Sequence, residues 1–319
     1  MNTSLARHVL CAISMTAAQF AWAADPYPSK PIRVIVPYPA GGVVDVQARA
    51  VTQRLAIELG QPIVVEAKPG ANGNIAAEFV ARAPADGYTL MISAPFIINN
   101  PLLESNLRWA TKDFVPIARY SLSPSYFVVP ATSPAKTLKE FVEMAKKAKP
   151  PLQYGEGGVG STQSMANELF MKAADITLDP VFYKGAPPIV PDLINNLVQA
   201  TILPSSVAYP MVKAGRLRAL ANISSRRSYQ LPDVPTFTEL GFASATALSW
   251  YGFHAPAGTP PEVIKRLEAA VAASTATAEV KERLVSAGGE EAYLGTADFI
   301  GFLKTDAEHW DRIVKAIKK

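Results

Sequence analysis

The chain has 319 residues, 49% of them apolar and 18% charged, with a formal charge of +4. That composition fits about two globular domains of ordinary size and excludes extended disorder. Lys315, Lys318 and Lys319 form no long basic tract, so nucleic acid is not an expected partner.

The first residues read as a secretory signal. Arg7 supplies the positive n-region, Val9 to Ala18 a short apolar core, and Ala21-Trp22-Ala23 the small-residue cleavage pattern. The apolar core is shorter than the roughly 20 residues of a membrane span. Cys11 is the sole cysteine and lies inside this segment. Cleavage after residue 23 would therefore leave no thiol nucleophile, no thiolate metal site and no disulfide.

After a Pro-rich lead (Pro26, Pro28, Pro31), the β-branched run Ile32 to Val36 reads as a buried strand. It stops at Pro37 and passes through Tyr38-Pro39-Ala40-Gly41-Gly42 into a helix over 45–59. Val44, Ala48, Val51, Leu55 and Leu59 share one helical face, and Gly60 is the stop. Free backbone N–H groups at such a helix start, with the positive end of its dipole, make an anion site. A strand over 63–67 runs into a second glycine loop, Pro69 to Asn74, and a short helix carrying Ile75, Phe79 and Val80. The turn Ala85-Asp86-Gly87 precedes a strand over 88–93. Strands alternating with helices predict a parallel sheet whose ligands bind beyond the carboxyl ends of its strands.

From Phe114 to Val129 the pattern is extended and breaks at Ser123-Pro124-Ser125. Thr137 and Glu140 form a capping box for a helix with Leu138, Phe141, Val142 and Ala145 on one face. A short strand over 152–154, a glycine loop over 155–160 and a helix over 161–174 follow. Strands over 178–183, 199–203 and 217–223 then alternate with helices near 188–197 and 207–214. A second extended passage covers 248–255. Thr259 to Glu262 reads as another capping box with proline at the first helical position, and the remainder as helical, divided at Gly288-Gly289. Two extended passages bracketing an α/β unit predict two crossings between domains. The first domain would hold 24–124 and 249–319, the second 125–248.

Gly155-Glu156-Gly157-Gly158-Val159-Gly160 is a G-x-G-x-x-G before a helix, with Asp175 at the distance of a ribose-binding acid. Its strand is short, it follows a complete α/β unit, and an exported protein is not expected to meet nicotinamide cofactors. No cofactor is expected. The same loop, with Ser161 and Thr162 opening the helix, is a second anion site. No H-E-x-x-H motif points to a metal and no G-x-S-x-G elbow to a serine hydrolase. His309, beside Trp310, reads as a flank residue, whereas His254 at the second crossing could reach a cleft. Asp45 has two readings, as a first-turn acid bonding the loop amides or as a partner for a ligand ammonium or hydroxyl. Phe96, Trp250 and Tyr251 are open to two as well, core or apolar cleft wall.

These blocks resemble the solute receptors of tripartite tricarboxylate transporters, the Bug family, over essentially the whole mature chain. The resemblance runs through residues 26–45, Gly60-Gln61 to Glu66 with Lys68 to Gly73, Ala85 to Leu90, and Asp113 to Ile117. It continues through Tyr183-Lys184-Gly185, Gly215 to Ala221, Leu231 to Thr236, and Trp250-Tyr251-Gly252 with Ala255 to Pro260. It implies an α/β, two-domain, type II-like clamshell of the periplasmic-binding class, located in the periplasm and without catalytic residues. The ligand carboxylate would be held largely by loop backbone amides and ordered water. That points to Tyr38, Ala40, Gly41, Gly42 and Asp45 on one domain, and to Gly158, Ser161, Thr162, Tyr183 and Ser205 on the other. Phe96 and Trp250 are added as cleft walls.

The chain departs from the family pattern at Val43 and Val44, where a hydroxyl residue is frequent, at Ser164, where many relatives have histidine, and at His254, where an apolar residue is common. Val43 and Val44 beside Tyr38 suggest a ligand with an apolar or aromatic body. The expected ligand is a small organic carboxylate: a di- or tricarboxylate, an acidic amino acid or an aromatic acid. The expected protein partners are the transporter's membrane subunits, and the expected state is a monomer. Two other functions remain in view: a secreted α/β enzyme using His254 as acid or base, and a sensing receptor without transport.

Overall fold

The computed structural model describes residues 27–158 and 161–317. The signal segment and Val159-Gly160 of the glycine loop lie outside them. The chain first lays down β1 (Ile32–Val36), α1 (Val43–Leu59), β2 (Ile63–Ala67), α2 (Asn74–Ala81), β3 (Thr89–Ser93), α3 (Phe96–Leu103) and β4 (Phe114–Ser123). It crosses at Pro124 into β5 (Ser125–Pro130), α4 (Leu138–Lys147), β6 (Leu152–Glu156), α5 (Thr162–Ala174), β7 (Leu178–Phe182), α6 (Ile189–Ile194), β8 (Ala200–Pro204), α7 (Ser205–Lys213) and β9 (Leu217–Asn222). It returns through β10 (Ser249–Pro256), α8 (Pro261–Ala276), α9 (Ala278–Ser286), β11 (Glu290–Leu294) and α10 (Thr296–Ile317).

Two sheets result, one ordered β11-β4-β10-β3-β1-β2 and the other β7-β6-β8-β5-β9. In the first, β1 pairs in parallel with β2 and β3, while β10 runs antiparallel between β3 and β4. In the second, β6 pairs in parallel with β7 and β8, and β5 is antiparallel to β8 and β9. Each sheet is therefore mixed rather than purely parallel, because the strands that enter and leave at the crossings are antiparallel to their neighbours.

The sheets are covered on both faces, as the unbroken apolar runs require. In β5, Tyr126 and Val128 pack with Ile189 and Leu193, whereas Phe127 turns to the opposite face. There its ring lies 4.9 Å from Phe141 and 5.2 Å from Phe170. Along α1, Ala48, Val51 and Leu55 are fully buried, and the helix packs against α8. The capping box at α4 forms as the sequence predicts, with Thr137 accepting from the Glu140 amide.

Three local expectations are corrected. Helix α3 replaces an unassigned stretch, β11 replaces part of a helical tail, and no capping box forms at Thr259. There the helix begins at Pro261, and the Thr259 hydroxyl donates to the Pro256 carbonyl at 2.8 Å.

Between the sheets, the turn before β11 presses onto α7. A Cβ at Gly288, whose φ is +74°, would fall 2.3 Å from the Ser206 amide nitrogen, so only glycine permits this approach. Buried Glu290 accepts from the Tyr229 amide at 2.8 Å, from Arg226 Nη2 at 3.3 Å and from the Ser228 hydroxyl. Gln230 Nε2 donates to the Val285 carbonyl at 2.9 Å.

Candidate ligand-binding cleft

The turn after β1 is self-bonded. The Gly42 amide donates to the Pro39 carbonyl at 3.1 Å, and the Gly41 amide donates to Asp45 Oδ2 at 2.9 Å. The same oxygen accepts from Arg49 Nε at 2.9 Å, one helical turn on. Burial pushes the Asp45 carboxyl up, but the Arg49 guanidinium and the Gly41 amide together hold it below its usual value. Asp45 thus fixes the start of α1 from beneath. Val43 and Val44 open the helix, and their amides have no acceptor among the described residues.

Two more helix starts converge here. Ser161 caps α5 by accepting from the Ser164 amide at 3.1 Å, which leaves the amides of Thr162 and Gln163 without acceptors among the described residues. At α3, Ile97 and Ile98 bond back to the carbonyls of Ala94 and Pro95, whereas the Phe96 amide has no such acceptor.

These starts border a cavity of about 190 Å³. From the first sheet's side come Tyr38, Val44, Asn72, Ala94, Pro95, Phe96 and Asn99; from the other come Ser161, Thr162 and Gln163. Ser249 and Tyr251, at the returning strand β10, complete it. No charged side chain is among them. The Phe96 ring meets Tyr38 edge to face at 6.4 Å, and Trp109 at 6.2 Å carries that wall into the core. Gly73, with φ of +90°, makes room for it, since a Cβ there would lie 3.0 Å from the Phe96 ring. Burial pushes the Tyr251 phenol up to about 12 and the Tyr38 phenol up as well, so both hydroxyls stay protonated near neutral pH.

The cavity brings together Tyr38, Phe96, Ser161 and Thr162 of the expected contacts. Ala40, Gly41 and Gly42 form the turn that leads into α1, two of them with their amides already bonded. The Gly158 amide is also engaged, donating to Glu156 Oε1 at 2.8 Å. Tyr183 points elsewhere, its hydroxyl donating to Asp192 Oδ2 at 2.7 Å. Ser205 is fully buried, with its hydroxyl on Gln230.

Trp250 is not a cleft wall. It shares the face of β10 that lies under α10, where it packs on Phe299 and donates to Asp306 Oδ2 at 2.8 Å. Tyr251, one residue on, takes the opposite face and lines the cavity. His254 lies on the Trp250 side, 5.4 Å from Phe299, and burial drives its imidazole down to about 3. A neutral imidazole beneath a helix offers the cleft no acid or base. Asp175 ends α5 at the far terminus from the glycine loop, where no ribose could meet both. Among the described residues no group of His, Cys, Asp and Glu could hold a metal ion.

Asn72, Asn99, Gln163 and Ser249 escaped the sequence analysis. Asn72 and Gln163 had a signal, since each belongs to a loop or helix start already singled out. Asn99 had none, because its helix was not recognised.

A two-sheet α/β clamshell closing on an uncharged cleft is the architecture of a solute-binding receptor. Residues 47–319 match the model of the TctC family, described as the tripartite tricarboxylate transporter family receptor, and the chain belongs to that family. Protein BugT of Bordetella pertussis is 32% identical over 295 residues, which cover 92% of this chain and 90% of that one. Rpa4515 of R. palustris, solved with adipate, matches with a TM-score of 0.79 at 30% identity, covering 91% and 97% of the two chains. MatC of Rhodopseudomonas palustris, with bound malate, matches at 0.75 and 27% identity, covering 90% and 100%. The family is one of receptors rather than enzymes, and this chain is a solute-binding receptor.

Proposed function

We propose that this receptor, exported to the periplasm by its N-terminal signal, captures a small organic carboxylate between its lobes. It then delivers that carboxylate to the membrane subunits of a tripartite tricarboxylate transporter. The lobes are residues 24–124 with 249–319, and residues 125–248. The observation that carries the ligand class is the set of first-turn amides without an acceptor among the described residues, at Val43, Val44, Phe96, Thr162 and Gln163, beside a cavity whose lining has no charged side chain. Aligned helix dipoles and free N–H groups favour an anion there without a formal cation. The adipate and malate bound by relatives support a carboxylate as that anion.

The amides of α1 and α5 come from opposite lobes, so a single carboxylate collects both sets only when the cleft shuts. Closure would then be driven by binding itself. Tyr38, Phe96 and Tyr251 are read as the walls around the ligand's hydrocarbon part, with Ser161 and Thr162 at its carboxylate. Titration calorimetry with adipate, malate, glutamate and benzoate tests this. At least one should bind at one site per chain and be recovered unchanged. Absence of binding by every carboxylate, or conversion of the one that binds, would overturn the reading.

A further inference from the structure

Two adjacent asparagines in α3 have opposite fates. Asn100 is fully used: it donates to the Asn72 carbonyl at 3.0 Å and to Asn74 Oδ1 at 2.7 Å, and accepts from Asn72 Nδ2 at 2.9 Å. It builds the loop that brings Asn72 to the cavity. Asn99 borders the cavity itself, is 4% exposed, and its Oδ1 is buried with no partner among the described residues.

The backbone around Asn99 is pinned. Its amide donates to the Pro95 carbonyl at 2.9 Å. Pro101 denies the Ile97 carbonyl its helical donor, and the Thr111 hydroxyl takes that carbonyl at 3.1 Å. The side chain therefore stands on a fixed helix, facing a cavity, with a polar atom that folding has left unsatisfied. Buried polar atoms are rarely left so, and one at a binding cleft is complementary to a group that arrives with the ligand.

We propose that Asn99 reads the ligand's carbon skeleton, and that the cleft selects hydroxy-substituted carboxylates. This rests on the carboxylate reading of the cleft given above. A hydroxyl both donates and accepts, so it satisfies the Asn99 amide in either of its two orientations, whereas a methylene satisfies neither. An ammonium at the same place would find no ionised partner. No carboxylate is among the residues that border the cavity, and Asp45, beneath the neighbouring turn, is ion-paired to Arg49 through Oδ2. Hydroxy acids are thus favoured over both their unsubstituted and their amino counterparts.

Calorimetry on the full mature protein with matched probes tests the proposal: malate, succinate and aspartate; lactate, propionate and alanine; 4-hydroxybenzoate and benzoate. In at least one series the hydroxy member should bind about tenfold or more tightly than its partners, the scale of one hydrogen bond made or lost at a buried site. Asn99→Leu should erase that preference by weakening the hydroxy member about tenfold more than the unsubstituted one. Its melting temperature without ligand should not fall, because the substitution removes an unsatisfied polar atom. A retained hydroxyl preference in Asn99→Leu, or no such preference in the wild type while other carboxylates bind, overturns the role of Asn99 alone. Failure of every probe to bind overturns the carboxylate reading and this inference with it.

Discussion

At the residue scale, Trp250 and Tyr251 show what one position along a strand decides. The Trp-Tyr-Gly block was visible in the sequence, but successive side chains alternate faces, and nothing local says which face meets the cleft. Trp250→Phe should lower stability by roughly 1–3 kcal/mol, because it strips Asp306 of its indole donor in a buried place. Ligand affinity should not change. Tyr251→Ala should do the reverse at the site and weaken binding, with calorimetry and thermal melts separating the two effects.

His254 carries a pH signature. Its folded imidazole stays neutral down to about 3, against about 6.5 when unfolded. Below 6.5 the unfolded chain therefore binds one more proton, and stability falls as pH drops toward 3, approaching about 1.4 kcal/mol per pH unit. Asp306, pushed up to about 6 mainly by burial, contributes with the opposite sign between its unfolded value and 6. The difference between wild type and His254→Leu isolates the histidine. That difference should be flat above pH 7 and grow steadily below 6, in favour of the variant. A pH-independent difference would remove His254 as a buried neutral base.

At the scale of elements, a chemical marker made three helix starts legible, although Thr259 suggested a capping box that does not form and the Thr277 cap of α9 passed unread. Gly42 before α1, Thr137 before α4 and Ser161 before α5 were read closely because a glycine or a hydroxyl announces each of them. Helix α3 was invisible: it has eight residues, Pro101 inside, no side-chain cap, and apolar and asparagine residues without a helical period. Strand β11 opens with two glutamates at a sheet edge, and its register on β4 is irregular, so no alternation marks it. The price of missing α3 was missing Asn99. Ser161→Ala, which deletes the cap of α5, should cost about 1 kcal/mol in denaturant unfolding. An unchanged midpoint would show that α5 does not depend on its cap.

At the scale of the whole molecule, two α/β lobes and the receptor family were legible from the order of the sequence blocks. The interlocking between lobes was not, since it depends on distant partners such as Glu290 with Tyr229 and Gly288 with Ser206. The amides first expected to hold the ligand, in the Gly41-Gly42 turn and at Gly158, are bonded within their own loops. The proposed recognition therefore rests on the first helical positions of α1, α3 and α5.

Proline at the first helical position tests this directly. Gly42 and Ser161 already have the extended backbone that a following proline requires, with ψ of 166° and 161°. Val43→Pro and Thr162→Pro should therefore fold normally while each deletes one amide donor. Thr162→Val serves as the control for the lost hydroxyl. The decisive measurement is calorimetric titration of these variants with the carboxylate that the wild type binds most tightly. Each proline variant should lose about tenfold or more in affinity, the scale of a charge-assisted hydrogen bond, with its melting temperature preserved. Wild-type affinity in both proline variants would contradict capture of the carboxylate by helix-terminal amides.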